Sequence, residues 1–373
     1  MKICFCANSC WYLYNFRKNT IRHLVASGFE VVCIAPFDNY ADKLVSLGCV
    51  LIPWNLDPKG INPLKELSAL TKLFYLVKGI NADIFLSFNP KLNIYGGLIF
   101  RFLKRKQIAN ISGLGVMNGK NFLVRMFYLI LYRFSLKKAH HVFFQNERDK
   151  DLFASWNIVA PQRTSRLMGS GVDLVKFSYA PIPPAPPTKF VFIGRLIEEK
   201  GVRLFIKAFS KLKEKHGSVV AGSIVGILEK KDVRGAIKLK ELEDWQDKLG
   251  VSFRGASDNI DKILPSEHFV VLPTFYAEGV PRTALEASAV GRGVITTRLP
   301  GCSDAVLDGI TGYLCEPKSV TSLFEAMDAA VSSSESEKAR MGNAARHRME
   351  EHFNEEQNIM RYMEVIRSAM AKV

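Results

Sequence analysis

Short apolar runs alternate with helical patterns along almost the whole chain, and this alternation constrains the fold more than any other feature. In the first half, the runs predict strands at 2–7, 30–35, 49–52, 83–88, 107–112 and 141–145. In the second half, they predict strands at 189–194, 219–225, 251–254, 269–272 and 293–297. Strands that alternate with helices form parallel sheets covered on both faces, so the predicted class is doubly wound α/β.

A proline-rich stretch divides the chain. Five of the seven residues from Pro181 to Pro187 are proline, and such a segment is neither helix nor central strand. With 373 residues, the chain is long enough for two domains with full cores. We therefore expect a first domain at 1–177, a linker at 178–188, a second domain at 189–354 and a final helix at 355–373.

The first candidate site is a cationic loop after the strand predicted at 189–194. It reads Gly194-Arg195-Leu196-Ile197-Glu198-Glu199-Lys200-Gly201 and leads into an amphipathic helical pattern. An arginine grips a phosphate through two parallel hydrogen bonds, and a lysine adds a point charge. Arg195 and Lys200 are therefore predicted to neutralise a diphosphate without a metal ion.

The second candidate site is a loop with two carboxylates after the strand predicted at 269–272. Glu278 lies in the loop and Glu286 lies eight positions later. Pro281 fits a first helical turn, so the free amides of Gly279, Val280 and Arg282 should lie at a helix N-terminus beyond the carboxyl end of a strand, where α/β sheets bind ligands. Two carboxylates that accept hydrogen bonds from several hydroxyls favour a sugar or a ribose. The spacing alone leaves open that Glu286 faces solvent and that Glu278 has no role.

Taken together, the Gly-Arg-Leu-x-x-x-Lys-Gly loop and the Glu-x7-Glu spacing resemble those of the retaining glycosyltransferases of family four. The similarity extends over nearly the whole chain, to Asn15-Phe16-Arg17, Lys91-Leu92-Asn93-Ile94-Tyr95-Gly96, Ile111-Ser112-Gly113-Leu114-Gly115, Gly169-Ser170-Gly171-Val172-Asp173 and Pro300-Gly301-Cys302. It is closest to the bacterial branch that lengthens lipid-linked sugars. The resemblance implies the GT-B fold, in which two Rossmann-like domains face a central cleft and a C-terminal helix crosses back to the first domain.

The resemblance also implies a reaction. A hexose or N-acetylhexosamine would pass from a UDP-sugar to an undecaprenyl-diphosphate-linked acceptor, with retention of configuration and without metal or cofactor. Arg195 and Lys200 would hold the diphosphate, Glu286 the ribose, and Glu278 the donor sugar, helped by the neighbouring amides. Arg195, Lys200 and Glu278 are the predicted catalytic residues. The complete predicted donor site is Gly194, Arg195, Lys200, Glu278, Gly279, Val280, Pro281, Arg282 and Glu286.

The acceptor is assigned to the first domain. The predicted acceptor residues are Arg17, Asn89, Lys91, Gly113 and Gly115, with Arg17 near the acceptor diphosphate. Many family members carry a histidine after the fourth strand of this domain. Here the corresponding residues are Ser87-Phe88-Asn89-Pro90, which puts any histidine-assisted mechanism in doubt.

Almost all of the excess positive charge lies in the first half of the chain. Residues 1–176 contain 24 Lys and Arg against 10 Asp and Glu, a net +14, whereas residues 177–373 contain 27 against 26, a net +1; the sum is the +15 of the whole chain. A half with this charge favours an anionic partner such as nucleic acid, a membrane surface or a phosphorylated acceptor.

Two segments of this half suggest an anionic membrane surface. Four cations lie within six residues: Arg101, Lys104, Arg105 and Lys106. Each is worth about 1 kcal/mol near an anionic leaflet. The 15 residues at 122–136 are apolar nearly all round a helix except for Arg125 and Arg133. They are too few to span a bilayer, which needs about 20, but they can lie in the interface. The alternative is a helix buried between the domains. The expected location is cytoplasmic and peripheral, on the inner face of the plasma membrane.

Other chemistries are disfavoured. The seven cysteines include no C-x-x-C pair, which indicates reduced thiols rather than disulfides or a zinc site. His140 and His141 should point to opposite faces of a strand, and Asp149-Lys150-Asp151 fits the acidic start of a helix. No G-x-G-x-x-G follows the first strand, which argues against a dinucleotide enzyme. No signal peptide is visible at Met1-Lys2.

Two other functions remain open from the sequence. One is a nucleotide-sugar epimerase or a phosphorylase on the same fold. The other is a basic scaffold that binds nucleic acid through residues 1–176. The aromatic residues of that half lie within strand and helix patterns rather than on an evident stacking surface, so nucleic acid is not a predicted partner.

Overall fold

The structure is a computed structural model that describes residues 1–55, 62–114, 122–229, 233, 235–276 and 279–371. These residues form two compact units. The first unit is Met1–Leu167 together with Gln357–Val373, and the second is Met168–Glu356.

Within the described ranges, the first unit has a parallel sheet of seven strands. They are β1 (Lys2–Cys6), β2 (Glu30–Ala35), β3 (Val50–Pro53), β4 (Ile84–Ser87), β5 (Lys106–Ile111), β6 (His141–Phe144) and β7 (Thr164–Arg166). The order across the sheet is β3-β2-β1-β4-β5-β6-β7, with every pair parallel. The order reverses between β1 and β4, which makes the carboxyl ends of these two strands the switch point of the sheet.

Helices cover both faces of this sheet. They are α1 (Cys10–Ala26), α2 (Ala41–Val45), α3 (Pro63–Ile80), α4 (Pro90–Phe102), α5 (Phe122–Leu136) and α6 (Glu147–Ser155). Side-chain oxygens begin several of them: Ser9 Oγ accepts from the Tyr12 amide at 3.0 Å, and Asn146 Oδ1 accepts from the Asp149 amide at 2.8 Å. Such caps satisfy amides that have no partner inside the helix.

The second unit has a parallel sheet of six strands in the part of the chain that is described. They are β8 (Thr188–Ile193), β9 (Val220–Val225), β10 (Ser252–Phe253), β11 (Phe269–Leu272), β12 (Gly293–Thr297) and β13 (Gly312–Cys315). Their order is β10-β9-β8-β11-β12-β13, again all parallel. Its switch point lies between β8 and β11.

The helices of the second unit follow the same alternation. They are α7 (Val202–His216), α8 (Leu239–Leu249), α9 (Ile260–Ile263), α10 (Arg282–Ala289), α11 (Cys302–Ala305), α12 (Val320–Ser332) and α13 (Glu335–His352). The apolar face of α7, with Phe205, Phe209 and Leu212, is buried in one core of the unit. The last helix, α14 (Glu355–Met370), returns to the first unit, where Ile359, Tyr362, Met363 and Ile366 pack into its core.

Both sheets confirm the α/β class predicted from the alternation of elements. Two strands escaped prediction, β7 and β13. The first is Thr164-Ser165-Arg166, which has no apolar run because it lies at the edge of its sheet. The second is also an edge strand, only four residues long. Edge strands need less apolar surface than central ones, so they leave a weaker pattern.

The unit boundary differs from the expected one. The first unit ends at Leu167 rather than at 177, and the proline-rich stretch belongs to the second unit. Phe177 packs into an apolar core of that unit. The Arg292 guanidinium, which is fully buried, donates to the carbonyls of Ala180 at 2.9 Å and Pro181 at 2.7 Å. Prolines keep their carbonyl acceptors although they lack an N–H, so this stretch packs on its unit instead of serving as a linker.

Candidate active site

The switch point of the second unit brings the two predicted loops together. The cationic loop follows β8 and the acidic loop follows β11, and these strands are neighbours with Phe269 opposite Phe190. Both loops therefore leave the same edge of the sheet at adjacent positions. An open α/β sheet binds its ligands at this place.

Direct hydrogen bonds join the two loops. The Glu199 carbonyl accepts from the amides of Phe275 at 2.9 Å and Tyr276 at 3.1 Å, and from the Thr274 hydroxyl at 3.2 Å. Gly201 has φ +81°, and a Cβ atom at that position would lie 2.1 Å from the Pro273 carbonyl oxygen. Only glycine allows the chain to turn there at this distance from the neighbouring backbone.

The two predicted cations project from this joined pair of loops. The Arg195 Nε donates to Glu229 Oε1 at 2.6 Å, and the Arg195 side chain is 49% exposed. The Lys200 Nζ lies 5.8 Å from the centroid of the Tyr276 ring. The structure thus brings both cations to the edge where the acidic loop begins.

A second arginine, Arg203, stabilises the cationic loop through hydrogen bonds with two carboxylates. Arg203, in the first turn of α7, donates from Nε and Nη2 to the two oxygens of Glu241 at 2.8 and 2.9 Å, and from Nη1 to Glu198. The hydrogen bonds with Glu241, and then with Glu198, raise the pKa of Arg203, and Arg203 lowers the pKa of Glu241. Because the guanidinium is used on both sides, Arg203 serves the loop conformation rather than a ligand.

The acidic loop leads into α10, whose first residue is Arg282. Pro281 lies one residue before the helix with φ −65° and ψ 123°, not inside its first turn as expected. Glu286 is buried, with 9% exposure, and one of its oxygens accepts from Arg282 Nε at 2.7 Å. The alternative that Glu286 faces solvent is therefore wrong. The second oxygen of its carboxylate retains lone pairs for another donor.

The remaining donor residues divide by what the structure describes. Gly194 donates its amide to the Val225 carbonyl at 3.0 Å at the start of the cationic loop. Val280 is buried, and its Cβ would meet any side chain placed at Gly169, 2.9 Å away. Gly279 precedes it in the same turn. Glu278, a predicted catalytic residue, lies outside the described residues.

The switch point of the first unit holds one of the predicted acceptor residues. Asn89 precedes α4, and its Oδ1 accepts from the Asn8 amide at 3.0 Å, so it ties the loop after β4 to the loop after β1. Lys91, in the first turn of α4, forms an ion pair with Glu66 at 2.8 Å. The hydroxyl of Tyr95 donates to the same carboxylate.

The structure places Arg17, a predicted acceptor residue, in the interior of the first unit. Its side chain is 2% exposed, and its guanidinium carbon lies 4.6 Å from the Phe88 ring centroid and 5.6 Å from that of Tyr362. Contact with an acceptor diphosphate would require these rings to move. In this structure Arg17 is a buried cation stabilised by aromatic faces.

The other predicted acceptor residues lie after β5. Gly113 is in the loop that follows this strand, and the next amide, of Leu114, donates to Asp149 Oδ2 at 3.2 Å. Burial raises the pKa of Asp149, although its hydrogen bonds with Asn146 and Leu114 act in the opposite direction. Asp149 therefore has a local structural partner. Gly115 lies outside the described residues.

Only some of the four cations of the predicted basic cluster are exposed for contact with a membrane surface. Arg101, Lys104 and Arg105 are exposed; Arg101 donates to the Phe134 carbonyl at 3.2 Å and Arg105 pairs with Asp83 at 3.3 Å. Lys106 donates instead to the Ala369 carbonyl and is part of the packing of the C-terminal helix. Lys106 therefore does not belong to an exposed basic cluster, because it starts β5 rather than ending α4.

Helix α5 exposes an apolar stripe. Leu129, Tyr132 and Leu136 are buried. On the opposite side, four residues at helical spacing are 44 to 74% exposed: Leu123, Phe127, Ile130 and Phe134. Arg125 and Arg133 are also exposed. The helix therefore buries one side in the core of its unit and leaves an apolar stripe outside that core.

Some site residues gave no signal in the sequence. Glu229 follows β9 at the same sheet edge and lies beside Arg195, but no motif includes it. Tyr276 faces Lys200, and Tyr362 reaches the first unit from the far end of the chain. The carboxyl-end rule, applied to every strand, would have drawn attention to the loop after β9.

No group of three or more His, Cys, Asp or Glu side chains among the described residues is placed to hold a metal ion. No helix in the described ranges combines the length and the apolar character needed to cross a membrane.

Two family profiles match the chain. Residues 2–146 match the profile described as glycosyl transferase 4-like, and residues 180–348 match that of glycosyl transferases group 1. Each matched range lies entirely within one unit. Together they include the switch-point loops of both sheets.

Two curated relatives extend the comparison. The chain is 27% identical to N,N'-diacetylbacillosaminyl-diphospho-undecaprenol alpha-1,3-N-acetylgalactosaminyltransferase of Campylobacter jejuni, over 98% of each protein. It is 25% identical to UDP-Gal:alpha-D-GlcNAc-diphosphoundecaprenol alpha-1,3-galactosyltransferase of Escherichia coli, over 72% of this chain and 71% of that protein.

Solved structures agree on the fold. A glycosyltransferase from Rickettsia africae superposes with a TM-score of 0.81 at 16% identity, over 100% of this chain and 99% of that one. Anabaena HepE, in complex with UDP and glucose, gives a TM-score of 0.79 at 15% identity, over 99% and 100%. The two parallel α/β sheets and these solved structures identify the GT-B fold. The matched profiles and the relatives show that the chain belongs to glycosyltransferase family four and is a retaining glycosyltransferase.

Proposed function

We propose that this enzyme transfers a hexose or N-acetylhexosamine from a UDP-sugar to an undecaprenyl-diphosphate-linked saccharide in bacterial glycan assembly. The observation that carries the proposal is the joining of the cationic and acidic loops through the Glu199 carbonyl. The names of the two curated relatives support the lipid-linked acceptor, and one of them also names UDP-galactose. The UDP complex of HepE supports the nucleotide.

The donor roles follow from the chemistry of each group. Arg195 and Lys200 neutralise the diphosphate, because one supplies a planar fork of donors and the other a point charge. Glu286 accepts hydrogen bonds from the ribose hydroxyls through the oxygen that does not face Arg282. Glu278 and the amides of Gly279 and Val280 hold the donor sugar. Pro281 and Arg282 shape this turn.

In the reaction, the bond between the anomeric carbon and the diphosphate oxygen breaks. The acceptor hydroxyl forms the new bond on the same face of the sugar, and the departing phosphate oxygen takes the acceptor proton. Negative charge grows on the diphosphate as the old bond breaks, and Arg195 and Lys200 stabilise it. Donors aimed at such charge are commonly worth about 10² to 10³ in rate each.

The acceptor is assigned to the first unit, with Asn89, Lys91, Gly113 and Gly115 as candidates. Asn89 is well placed because it lies at the switch point of that sheet and carries a polar side chain. Lys91 offers a cation beside the Glu66 carboxylate. Arg17 is buried behind this region and packs on Phe88, the residue before Asn89.

We also propose that the enzyme works on the inner face of the plasma membrane as a peripheral protein, with an anionic leaflet as its partner. The apolar stripe of α5 is exposed, and so are Arg125 and Arg133 of the same helix. Arg101, which donates to the Phe134 carbonyl, and Lys104 and Arg105, which follow α4, are exposed as well. An interfacial helix has this combination of apolar stripe and flanking charge. The acceptor lipid would be reached in the same membrane.

The test is a transfer assay on the purified protein with a panel of UDP-hexoses and UDP-N-acetylhexosamines, with and without a polyprenyl-diphosphate-linked saccharide. We expect UDP release only when the lipid acceptor is present. We also expect the new glycosidic bond to have the same anomeric configuration as the sugar in the UDP-sugar donor. Conversion of a UDP-sugar without acceptor would identify an epimerase instead. Absence of UDP binding by calorimetry would contradict the proposal as a whole.

A further inference from the structure

Arg195 has a carboxylate partner outside both sequence motifs. Its Nε donates to Glu229 Oε1 at 2.6 Å, and the Glu229 side chain is 19% exposed while that of Arg195 is 49% exposed. We propose that Glu229 is a positioning residue that turns the Nη1–Nη2 edge of Arg195 toward the donor diphosphate. The inference rests on the diphosphate-binding role proposed above for Arg195.

The backbone places Glu229 beside Arg195. The loops after β8 and β9 run side by side, with the Leu196 amide donating to the Ile227 carbonyl at 3.1 Å. At Gly226 a Cβ atom would lie 2.1 Å from the Gly194 carbonyl oxygen, so only glycine permits this approach. Glu229 follows three residues later in the same loop. Its position is therefore set by main-chain packing rather than by the ion pair itself.

The geometry of the bond leaves the useful part of the guanidinium open to a ligand. Arginine has five N–H donors in a planar fork, and the bond with Glu229 uses the one on Nε. The terminal nitrogens form the edge that binds a phosphate with two parallel bonds. Fixing the plane beforehand lowers the cost of ordering this long side chain when the donor binds.

Arg203 shows the contrasting arrangement in the same loop. Its Nε, Nη1 and Nη2 all donate to carboxylates, two bonds to Glu241 and one to Glu198. Each of the three nitrogens of Arg203 is therefore engaged in holding the loop. Among the described residues, the carboxylate beside Arg195 is that of Glu229, and it lies on the Nε side, where it orients the guanidinium without occupying the Nη1–Nη2 edge.

The ion pair of Arg195 and Glu229 contributes little to folding, because half-exposed pairs are screened by water. Glu229→Ala should therefore leave the melting temperature within about 2 °C of the wild type. It should lower kcat about 10- to 30-fold, the scale of a misaligned transition-state donor. Glu229→Gln should stay within about 3-fold of the wild type, since its amide oxygen accepts the same Nε–H. Glu243→Ala, an exposed carboxylate of α8, is the matched control and should change neither quantity.

A double-mutant cycle decides whether Glu229 acts through Arg195. Turnover and UDP affinity are measured for Arg195→Ala, Glu229→Ala and the double variant, with melting temperatures as a folding check. We expect the double variant to match Arg195→Ala alone. A further multiplicative loss in the double variant, or wild-type kcat in Glu229→Ala, would overturn the positioning role. Full activity of Arg195→Ala would remove both the role of Arg195 and this inference, whereas failure of the wild type to bind UDP would overturn the proposed function itself.

Discussion

The two units use the same topology at their switch points but surround them with different side chains. In the second unit the loop after β8 carries the exposed Arg195, and the Glu199 carbonyl links this loop to the one after β11. In the first unit the loop after β4 begins with Phe88, which packs on a buried Arg17, and the polar contact is the uncharged Asn89. The parallel sheet provides the same edge in both cases. The side chains at that edge, rather than the topology, decide whether it suits a diphosphate.

The net charge is greater in the first half of the chain, although the exposed cation Arg195 lies at the switch point of the second unit. The first half carries +14 and the second +1. The described cations at the switch point of the first unit do not add exposed, unpaired charge there, because Arg17 is buried and Lys91 is paired with Glu66. Part of the excess charge of the first half lies on α4 and α5, next to exposed apolar side chains. We interpret this as a division between a compact diphosphate site and an extended surface for an anionic leaflet.

The largest expected effect tests the donor site of the second unit. Arg195→Ala and Glu286→Ala should each lower the transfer rate about 10²- to 10³-fold, because each removes a side chain that we propose contacts the bound nucleotide sugar. UDP affinity by calorimetry should fall in both variants while the circular dichroism spectrum is unchanged. Wild-type turnover in both would show that the charged switch point is not the donor site.

The next effect tests the surface of the first unit. Replacing Phe127 and Phe134 by serine should weaken binding to vesicles rich in phosphatidylglycerol by about 100-fold, because each phenyl group loses roughly 1.5 kcal/mol of apolar burial. Vesicle sedimentation measures it. Leu239→Ser, which removes an exposed apolar side chain of the second unit, is the control and should change nothing. Equal loss in both variants would contradict a localised docking surface.

A smaller effect would sharpen the difference between the two switch points. Asn89→Ala should lower transfer to a water-soluble acceptor analogue by about 10-fold, since it removes one uncharged hydrogen-bonding group. It should leave UDP affinity as in the wild type, because the donor residues lie in the other unit. Arg22→Ala, on the exposed side of α1, is the control. A fall in UDP affinity would contradict the assignment of Asn89 to the acceptor.

The smallest effect should be shared by both units. Burial lowers the pKa of His141, in the first unit, and of His268, in the second, from 6.5 to about 4. Each histidine binds fewer protons in the folded state, so stability falls as the pH drops below about 6.5 and the loss is complete near 4. Between pH 7 and 5, buried His268 should cost on the order of 1 kcal/mol.

Urea unfolding of His268→Gln against the wild type at both pH values measures this loss. The variant should show a shallower decline in the free energy of unfolding. Parallel declines in the two proteins would show that other groups dominate the acid sensitivity.

Much of the fold was predictable because each element carries its own pattern. The central strands are apolar runs of four to six residues, such as 269–272, and central strands of a covered parallel sheet must be apolar. The edge strands β7 and β13 were missed for the same reason. The proline content of 178–188 predicted a linker. The carbonyl contacts of this stretch with Arg292 connect residues more than a hundred positions apart, so no local pattern could reveal them.

The candidate site was predictable only in part. Arg195, Lys200 and Glu286 were proposed from motifs, because their positions at the sheet edge depend on local turns. The surroundings of Arg17 and Lys106 could not be predicted, because burial and partners depend on distant segments. Phe88 and Tyr362 enclose Arg17, and the carbonyl of Ala369 binds Lys106. Glu229 was missed because it reaches Arg195 across 34 positions of sequence.

Sequence alone was enough for the class of fold, the family and the two loops that carry the charged motifs, because these depend on periodicity and on short turns that neighbouring residues dictate. Folding decided which of the cations stay at the surface and which carboxylate faces each of them. Those outcomes depend on contacts between segments far apart in the chain, where a side chain gains or loses water according to what packs beside it. The difference between the exposed Arg195 and the buried Arg17 is of this kind.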